Sequence, residues 1–315
     1  MNEFDIINHF FHKKLKHPEI NILGSGDDAA ITQIPTGYQL VSTIDTSVSG
    51  VHFHENTAAY DIAYKSTAVS FSDLAAMGAK PISLLMSITM PTSDHDWLTK
   101  FSRGLFTILD QFDVDLIGGD LTRGPLSIST IAYGLIPSGK SIRRSGAQVG
   151  DSIFVTGMLG DAGLALQLLE EKKQVPPEIL KALNQPYPQV KLGLALREFM
   201  SSCIDISDGL SGDLKHILDA SKVGAEIYID ELPLSKQLLE TAKDPYPFAL
   251  TSGDDYQLCF TVSQANKANA LACCKRLNQK ITEIGRIVEK PGLNAYGTDG
   301  NPVTLNSKSY DHFRN

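Results

Sequence analysis

Aspartates recur in this 315-residue chain where apolar stretches stop. GSGDDAA carries Asp27 and Asp28, STIDTS carries Asp45, SFSDLAAMG carries Asp73 and LIGGDLTRG carries Asp120. The second half adds CIDISDGLSGD, with Asp205, Asp208 and Asp213, and LTSGDDYQL, with Asp254 and Asp255. Most have Gly, Ser or Thr within two positions. Glycine lets a ligand approach the backbone closely, and carboxylate oxygens are the hard donors that Mg²⁺ prefers. Taken singly, Asp beside Ser or Gly is ordinary capping and turn chemistry. Asp73 is placed to open the helical turn DLAAMG, and Asp213 is expected on a helix surface. As a set they ask for more. Capping requires neither GGD after a buried strand nor two carboxylates in D-x-S-D. Two unit charges about 4 Å apart repel by about 4 kcal/mol at an effective dielectric near 20. Convergent carboxylates therefore need cations. Several Mg²⁺ ions imply a polyphosphate ligand, because Mg²⁺ is usually held by a few carboxylates together with phosphates and water.

The cations beside these turns are Arg123, Arg143 and Arg144. A guanidinium grips phosphate with a planar fork, although Arg143 suits a solvated basic surface equally well. VHFH puts His52 and His54 on one side of a strand if that stretch is extended. Zinc is not expected, since no further His or Cys is suitably spaced.

One motif points elsewhere. GLIPSGKS (134–141) satisfies G-x-x-x-x-G-K-[ST] at every specified position. A working P-loop needs a helix directly after it, whose N-terminus holds the phosphates. Here the chain runs on through IRRSGAQVGD, with Gly146 and Gly150 and no apolar periodicity, into the next strand. The stretch reads as a polar connection with Lys140 in solvent.

The elements that must position the aspartates alternate along the chain. Residues 2–15 predict a short helix, 38–45 a strand, 58–78 a helix closed by Gly78, 81–91 a strand and 94–112 an amphipathic helix. DVDLIGG and LSISTIAYGLI follow as two strands separated by DLTRGP. This is β-α-β-α-β-β, an α/β layer arrangement with helices on one face of a sheet. The polar stretch 141–151 marks a domain boundary. Beyond it come strand SIFVTG, helix GDAGLALQLLEEKK, a proline-marked helical region around 185–189, and SCIDISDGL, a strand that breaks into a turn. A helix to about Lys222, strand AEIYI, a helix near 235–243, strand YQLCFTV, helix 264–279, strand ITEIGRIV and a hairpin turning at TDGN complete the pattern.

Composition narrows the function classes. Hydrophobic residues make up 42% and charged residues 20%, which suits a globular chain with a sizeable core. A net charge of −8 lacks the basic field of nucleic-acid binding and the polybasic patch of membrane attachment. The N-terminal MNEFDIINHFFHKKLKH has acidic residues and no sustained apolar run, so it is not expected to be a signal peptide. No segment approaches the ~20 apolar residues of a membrane span. Four cysteines without a CxxC pair suit free, buried thiols in a reducing cytoplasm.

GSGDDAA, ID-T-x-x-x-G-x-H-F, SDLAAMGAKP, LIGGDLTRGPLSIS, RRSGAQVGDSIFVTG, IDISDGLSGDL and the closing YDHF occur in that order. Together they closely resemble the thiamine-monophosphate kinases, from about residue 24 to the C-terminus. The wider superfamily includes aminoimidazole ribonucleotide synthetase and selenophosphate synthetase, which bind ATP without a P-loop. The resemblance implies an α/β (α+β) protein: an N-terminal ferredoxin-like domain plus a C-terminal α/β domain of the aminoimidazole ribonucleotide synthetase-like type. Residues 1–140 would form the ATP- and Mg-binding and dimerisation domain. Residues 141–315 would form the domain that completes the active site. It further implies a homodimer paired through the N-terminal sheets. The implied reaction moves the γ-phosphoryl of ATP onto thiamine monophosphate, with several Mg²⁺ ions, giving thiamine diphosphate.

Carried over by motif, Asp28, Thr43, Ile44, Asp45, Asp73, Asp120 and Asp205 correspond to magnesium ligands, and Asp208 to the ligand of a further ion. Gly119, Asp120, Arg144 and Ser207 correspond to ATP contacts. His52, Asp254 and Tyr310 correspond to thiamine phosphate contacts. Two positions depart from the pattern. Ile44 stands where relatives often have Thr, so any ligation there is through backbone. Asp254 stands where relatives usually carry Glu, one methylene longer, and Asp255 beside it is an alternative carboxylate. The acceptor phosphate, with a second pKa near 6, is largely ionised at neutral pH. No residue is therefore assigned as a general base, and direct in-line transfer assisted by metals and arginine is expected. The alternatives are another ATP-dependent enzyme of the superfamily or a non-catalytic metal- or nucleotide-binding relative. The absence of any cysteine before Cys203 disfavours selenophosphate synthesis, and YDHF with SDLAAMGA disfavours aminoimidazole ribonucleotide synthesis.

Overall fold

The computed structural model describes residues 1–297 and 299–303. The chain divides into two compact units. One comprises Met1–Leu74 and Ala79–Gly139, and the other comprises Ala75–Gly78 and the chain from Lys140 onward. Among the described residues no helix is long and apolar enough to cross a membrane.

The first unit opens with helix α1 (Glu3–Ile6), started by a capping box between Asn2 and Asp5 and continued as a π turn over Ile7–Phe11. Two short strands that periodicity does not announce, β1 (Asn21–Leu23) and β2 (Ile31–Thr32), pair antiparallel around the GSGDDAA loop. Then come β3 (Tyr38–Val48), α2 (Ala59–Ala76), β4 (Lys80–Met90), α3 (His95–Gln111), β5 (Asp115–Arg123) and β6 (Ser127–Pro137). The last turn of α2 is grouped with the second unit.

These strands form a four-stranded sheet in the order β3-β6-β4-β5, antiparallel except for β4 against β5. The β-α-β-α-β-β order follows the sequence reading. One boundary does not: Asp120–Arg123 belongs to β5, and only the residues from Gly124 to Leu126 make the turn. Parallel pairing with β4, extending to Met90↔Arg123, holds this polar run in the ladder.

Asp94 caps α3, accepting the Trp97 N–H at 2.7 Å, and Leu98, Phe101, Leu105, Ile108 and Leu109 form its buried stripe. Helix α2 is buried nearly all round from Ile62 to Ser72, so it shows no polar face. The two helices approach closely at Gly104, where a Cβ would lie 2.1 Å from the Tyr60 carbonyl oxygen.

The second unit contains β7 (Ser152–Thr156), α4 (Asp161–Glu170), α5 (Pro177–Asn184), α6 (Val190–Leu196), β8 (Met200–Asp205), α7 (Leu210–Ser221), β9 (Gly224–Tyr228), α8 (Lys236–Thr241), α9 (Tyr246–Thr251), β10 (Leu258–Val262), α10 (Gln264–Arg276), β11 (Ile281–Val288), β12 (Gly292–Tyr296) and β13 (Pro302–Val303). Its mixed sheet runs β13-β12-β9-β11-β7-β10-β8. Both central strands β7 and β10 are buried throughout, which is why they read as continuous apolar runs. On one face Ile153 and Val155 join Leu210, Leu214, Ile217 and Leu218 of α7 in the main core. On the other, Phe154 and Phe260 stack with ring centroids 5.7 Å apart. Helix α9 has no counterpart in the sequence reading, because only six residues between a proline and SGDD carry it.

Candidate active site

In the first unit, strand β3 and helix α2 bring three of the expected residues together. Thr43 and Asp45 lie two positions apart and so share one face of β3. The Thr43 hydroxyl donates to Asp73 Oδ2. Asp45 Oδ2 accepts from the Ser70 hydroxyl at 2.6 Å, and Ser70 Oγ lies 2.8 Å from Thr130 Oγ1. Asp73 therefore sits inside α2, three residues before its end, and does not open a helical turn. Burial pushes the Asp45 carboxyl up from 3.8 to about 6, and the nearby Asp73 adds to the shift, against the Ser70 hydrogen bond. Ile44 points the other way and is 63% exposed.

Asp120 lies elsewhere. Its register row runs Asp120↔Ser87↔Ser129↔Thr46, while Asp45 pairs with Thr130. Directly paired residues share a face and neighbours along a strand alternate, so Asp120 and Asp45 are on opposite faces of the sheet. Asp120 and Gly119 line a cavity of about 1090 Å³ together with Asp27, Asp28 and Tyr133. Gly119 must be glycine, because a Cβ would meet the Met86 carbonyl oxygen at 1.9 Å. The loop with Asp27 and Asp28 is fastened through the segment before it. Asp115, at the start of β5, accepts from Lys16 N at 2.7 Å, His17 N at 3.1 Å and Asn21 Nδ2 at 2.9 Å.

His52 lies in a turn, not a strand, so VHFH does not place His52 and His54 in one row. The turn is closed by His52 N donating to the Val48 carbonyl at 2.9 Å and by His52 Nδ1 accepting the Val48 N–H at 3.1 Å. An accepting Nδ1 leaves the ring proton on Nε2. His54 Nδ1 accepts from Asn56 N at 3.2 Å in the same turn region. Arg123 is exposed at the end of β5.

In the second unit, β8 ends at Asp205 and the chain turns through Ser207 and Asp208 into α7. Contrary to the expectation of a surface position, Asp213 is 2% exposed. Its Oδ2 accepts the N–H groups of Ser207 and Asp208, both at 3.0 Å. Burial raises its carboxyl to about 7, with the Asp208 charge adding and these backbone donors and Arg144 opposing. A sequence signal for this existed: Asp213 stands three residues after Leu210 and four before Ile217, on the apolar stripe of α7. Arg144 is exposed, and its backbone is tied down beside α7. Ser221 Oγ accepts from Gly146 N and Ala147 N at 3.1 and 3.2 Å. Arg143 is also exposed, with its carbonyl accepting from Cys203 N at 3.1 Å.

Asp254 occupies a left-handed backbone conformation with φ 62°, and its Oδ1 accepts from the Tyr256 hydroxyl at 3.1 Å. Asp255 is a structural carboxylate, buried and bonded through both oxygens to the Gly160 N–H. Of the two alternatives, Asp254 is the partly exposed one. Tyr310, with the YDHF motif, lies outside the described residues.

The GLIPSGKS stretch is not a P-loop. Gly134 is in the body of β6, and after Pro137 the chain turns without entering a helix. Lys140 is exposed and paired with Glu198 at 2.8 Å.

Among the described residues no three His, Cys, Asp or Glu side chains gather into a metal cage. The donor sets at Asp45/Asp73/Thr43 and at Asp27/Asp28/Asp120 are all oxygen, which fits Mg²⁺. That ion commonly takes one or two carboxylates and completes its octahedron with phosphate and water.

Two family models cover most of the chain: the AIR synthase related protein N-terminal domain over residues 26–136, and its C-terminal domain over residues 148–297. The thiamine-monophosphate kinase of Buchnera aphidicola from Schizaphis graminum is 42% identical over 99% of both chains. The Salmonella typhimurium enzyme of that name is 41% identical over 99% of this chain and 98% of its own.

The chain belongs to the thiamine-monophosphate kinase family.

The structure of the family member from Stenotrophomonas maltophilia matches with a TM-score of 0.84 and 42% identity, covering 89% of this chain and 92% of that one. A second, AaThiL complexed with AMPPCP and TMP, matches at TM-score 0.78 and 28% identity over 96% and 100% of the two chains. The hydrogenase maturation protein HypE in complex with ATP matches at 0.80 but with 17% identity, a likeness of fold alone.

Proposed function

We infer that the chain phosphorylates thiamine monophosphate at the expense of ATP, giving thiamine diphosphate and ADP. The observation that carries this is full-length identity of about 40% to thiamine-monophosphate kinases. The relative solved with AMPPCP and TMP supports both substrates. ATP-dependent synthesis of another kind has behind it the AIR synthase related family models and the fold likeness to HypE, but no relative of comparable identity.

We assign Gly119, Asp120, Arg144 and Ser207 to ATP. His52, Asp254 and Tyr310 are assigned to thiamine phosphate. Asp28, Thr43, the Ile44 backbone, Asp45, Asp73, Asp120, Asp205 and Asp208 are assigned to several Mg²⁺ ions. Bound there, Mg²⁺ would neutralise phosphate charge that otherwise keeps two anions apart. This chain's own residues do the rest. Gly119 lines the cavity beside Asp120, and its backbone approaches that of Met86 as closely as only glycine allows. Arg144 offers a fork to phosphate oxygens. His52 is held in its turn by Nδ1 accepting the Val48 N–H, which fixes the ring assigned to thiamine phosphate. No side chain needs to remove a proton, because the acceptor phosphate is already largely ionised at neutral pH.

We also propose a homodimer paired through the N-terminal sheets. Tyr38, Leu40 and Ile44 expose apolar side chains along β3, an edge strand, and Ile44 pairs with Ile131 on the same face. A cytoplasmic location suits four buried, unpaired cysteines. The reading is tested by incubating purified protein with MgATP and thiamine monophosphate and separating the nucleotides and thiamine phosphates by ion exchange. Equal amounts of ADP and thiamine diphosphate are expected. ADP without thiamine diphosphate would discard the acceptor.

A further inference from the structure

We propose that Asp213 is a positioning residue for the transfer, fixing through one carboxylate oxygen the turn that presents Ser207 and Asp208 and, through that turn, the loop that presents Asp254. The proposal rests on the kinase reading above and deepens it. Asp213 Oδ2 receives two successive backbone N–H groups, from Ser207 and Asp208, each at 3.0 Å. One acceptor shared by adjacent amides fixes the direction of both peptide planes, and therefore where both side chains leave the backbone. The carbonyl side of the same turn is spoken for as well. Ile206 O accepts from Tyr256 N at 2.8 Å and Ser207 O accepts from Asp254 N at 2.9 Å. Ile206 N in turn donates to the Gln257 carbonyl at 2.7 Å.

The two loops leave no slack where they meet. A Cβ at Gly253 would lie 2.2 Å from Ser207 O, and one at Gly209 would lie 2.8 Å from the Thr251 carbonyl carbon. The 205–209 turn and the 253–257 loop are thus a single interlocked piece, anchored to α7 by Asp213. Only an acceptor oxygen at that point satisfies the amides. A second buried carboxylate of this unit, Asp151, is 3% exposed and accepts from Gln148 N and Ser201 Oγ. It bonds to no residue assigned to substrates, so it serves as the structural control.

The test is steady-state kinetics and thermal unfolding of D213N, D213L and D151L, full-length, with both substrates varied. Asparagine keeps an acceptor oxygen and leucine keeps only the bulk. D213N is expected within about threefold of wild type. D213L is expected to raise KM for MgATP and for thiamine monophosphate, and to lower kcat, each by about tenfold. D151L is expected to lower the unfolding midpoint with both KM values unchanged. Should D213L not fold, D213A is measured against the same expectations. Folded D213L or D213A with wild-type kinetics would overturn the proposal. So would D213N as impaired as D213L, or D151L shifting KM as much as D213L. A wild-type protein that forms no thiamine diphosphate would instead refute the kinase reading.

Discussion

Asp255 takes the Gly160 N–H with both carboxylate oxygens, at 2.9 and 3.0 Å. Gly160 stands immediately before α4, with φ 88°. The first free amide of that helix is therefore already occupied by a carboxylate, and the glycine-rich TGMLG turn is closed to a phosphate at this N–H.

This contact makes a pH prediction. Burial pushes the Asp255 carboxyl well above its ordinary 3.8, and the charges of Asp161, Asp254 and Asp213 add to it, against the Gly160 hydrogen bond. With the folded value raised, the folded state holds the proton more tightly than the unfolded state. The stability this contributes is fully present below about pH 4 and is lost as pH climbs toward the folded value. Asp255→Asn removes the titration and keeps one acceptor. Chemical unfolding between pH 5 and 8 is expected to give a flatter decline for D255N than for wild type. Parallel declines would contradict this.

The assignment of Asp45 to Mg²⁺ carries a stability prediction. Burial and Asp73 raise its carboxyl from 3.8 to about 6, which corresponds to about 3 kcal/mol against the charged form. Asp45→Asn retains an acceptor for Ser70. Without Mg²⁺ at pH 7.5, it is expected to unfold later than wild type, by roughly 1 to 3 kcal/mol. The Mg²⁺ concentration for half-maximal activity is expected to rise about tenfold or more. A variant that is less stable and equally responsive to Mg²⁺ would remove Asp45 from the metal site.

Gly119→Ala is expected to damage the sheet and the cavity assigned to ATP together. Its Cβ would press on the Met86 carbonyl oxygen from 1.9 Å, backbone that cannot yield as a side chain can. A loss of more than about 2 kcal/mol in unfolding free energy is expected, with ATP binding by calorimetry lost in the folded fraction.

Lys140→Ala tests the motif that looked most like a nucleotide site. Lys140 reaches Glu198 across an exposed pair and no helix follows it. ATP affinity is expected to stay within about twofold, and stability within about 0.5 kcal/mol. Abolished ATP binding would restore the P-loop reading.

The positions assigned to ligands drew notice in the sequence because apolar strand residues give way there to glycine and aspartate. In LIGGD the buried part of β5 gives way to Gly119 and Asp120 while the strand itself continues to Arg123, and CIDISDG is β8 running into its turn. The faces were harder. Asp45 and Asp120 lie in similar apolar-then-acidic contexts, yet the β4–β5 register puts them on opposite sides of the sheet. Asp213 and Asp255 sit among aspartates assigned to ligands, yet Asp213 holds the amides of the turn five and six residues before it and Asp255 holds the distant Gly160 N–H. VHFH alternates like a strand, but Nδ1 of His52 closes a turn on Val48. Strands β1 and β2 are too short to show a period.

The most direct measurement is ³¹P NMR of the purified protein with MgATP and thiamine monophosphate, beside a sample lacking the acceptor. The diphosphate resonances of thiamine diphosphate should grow in step with those of ADP, and only where the acceptor is present. Inorganic phosphate and ADP at the same rate in both samples, with no thiamine diphosphate, would contradict the account.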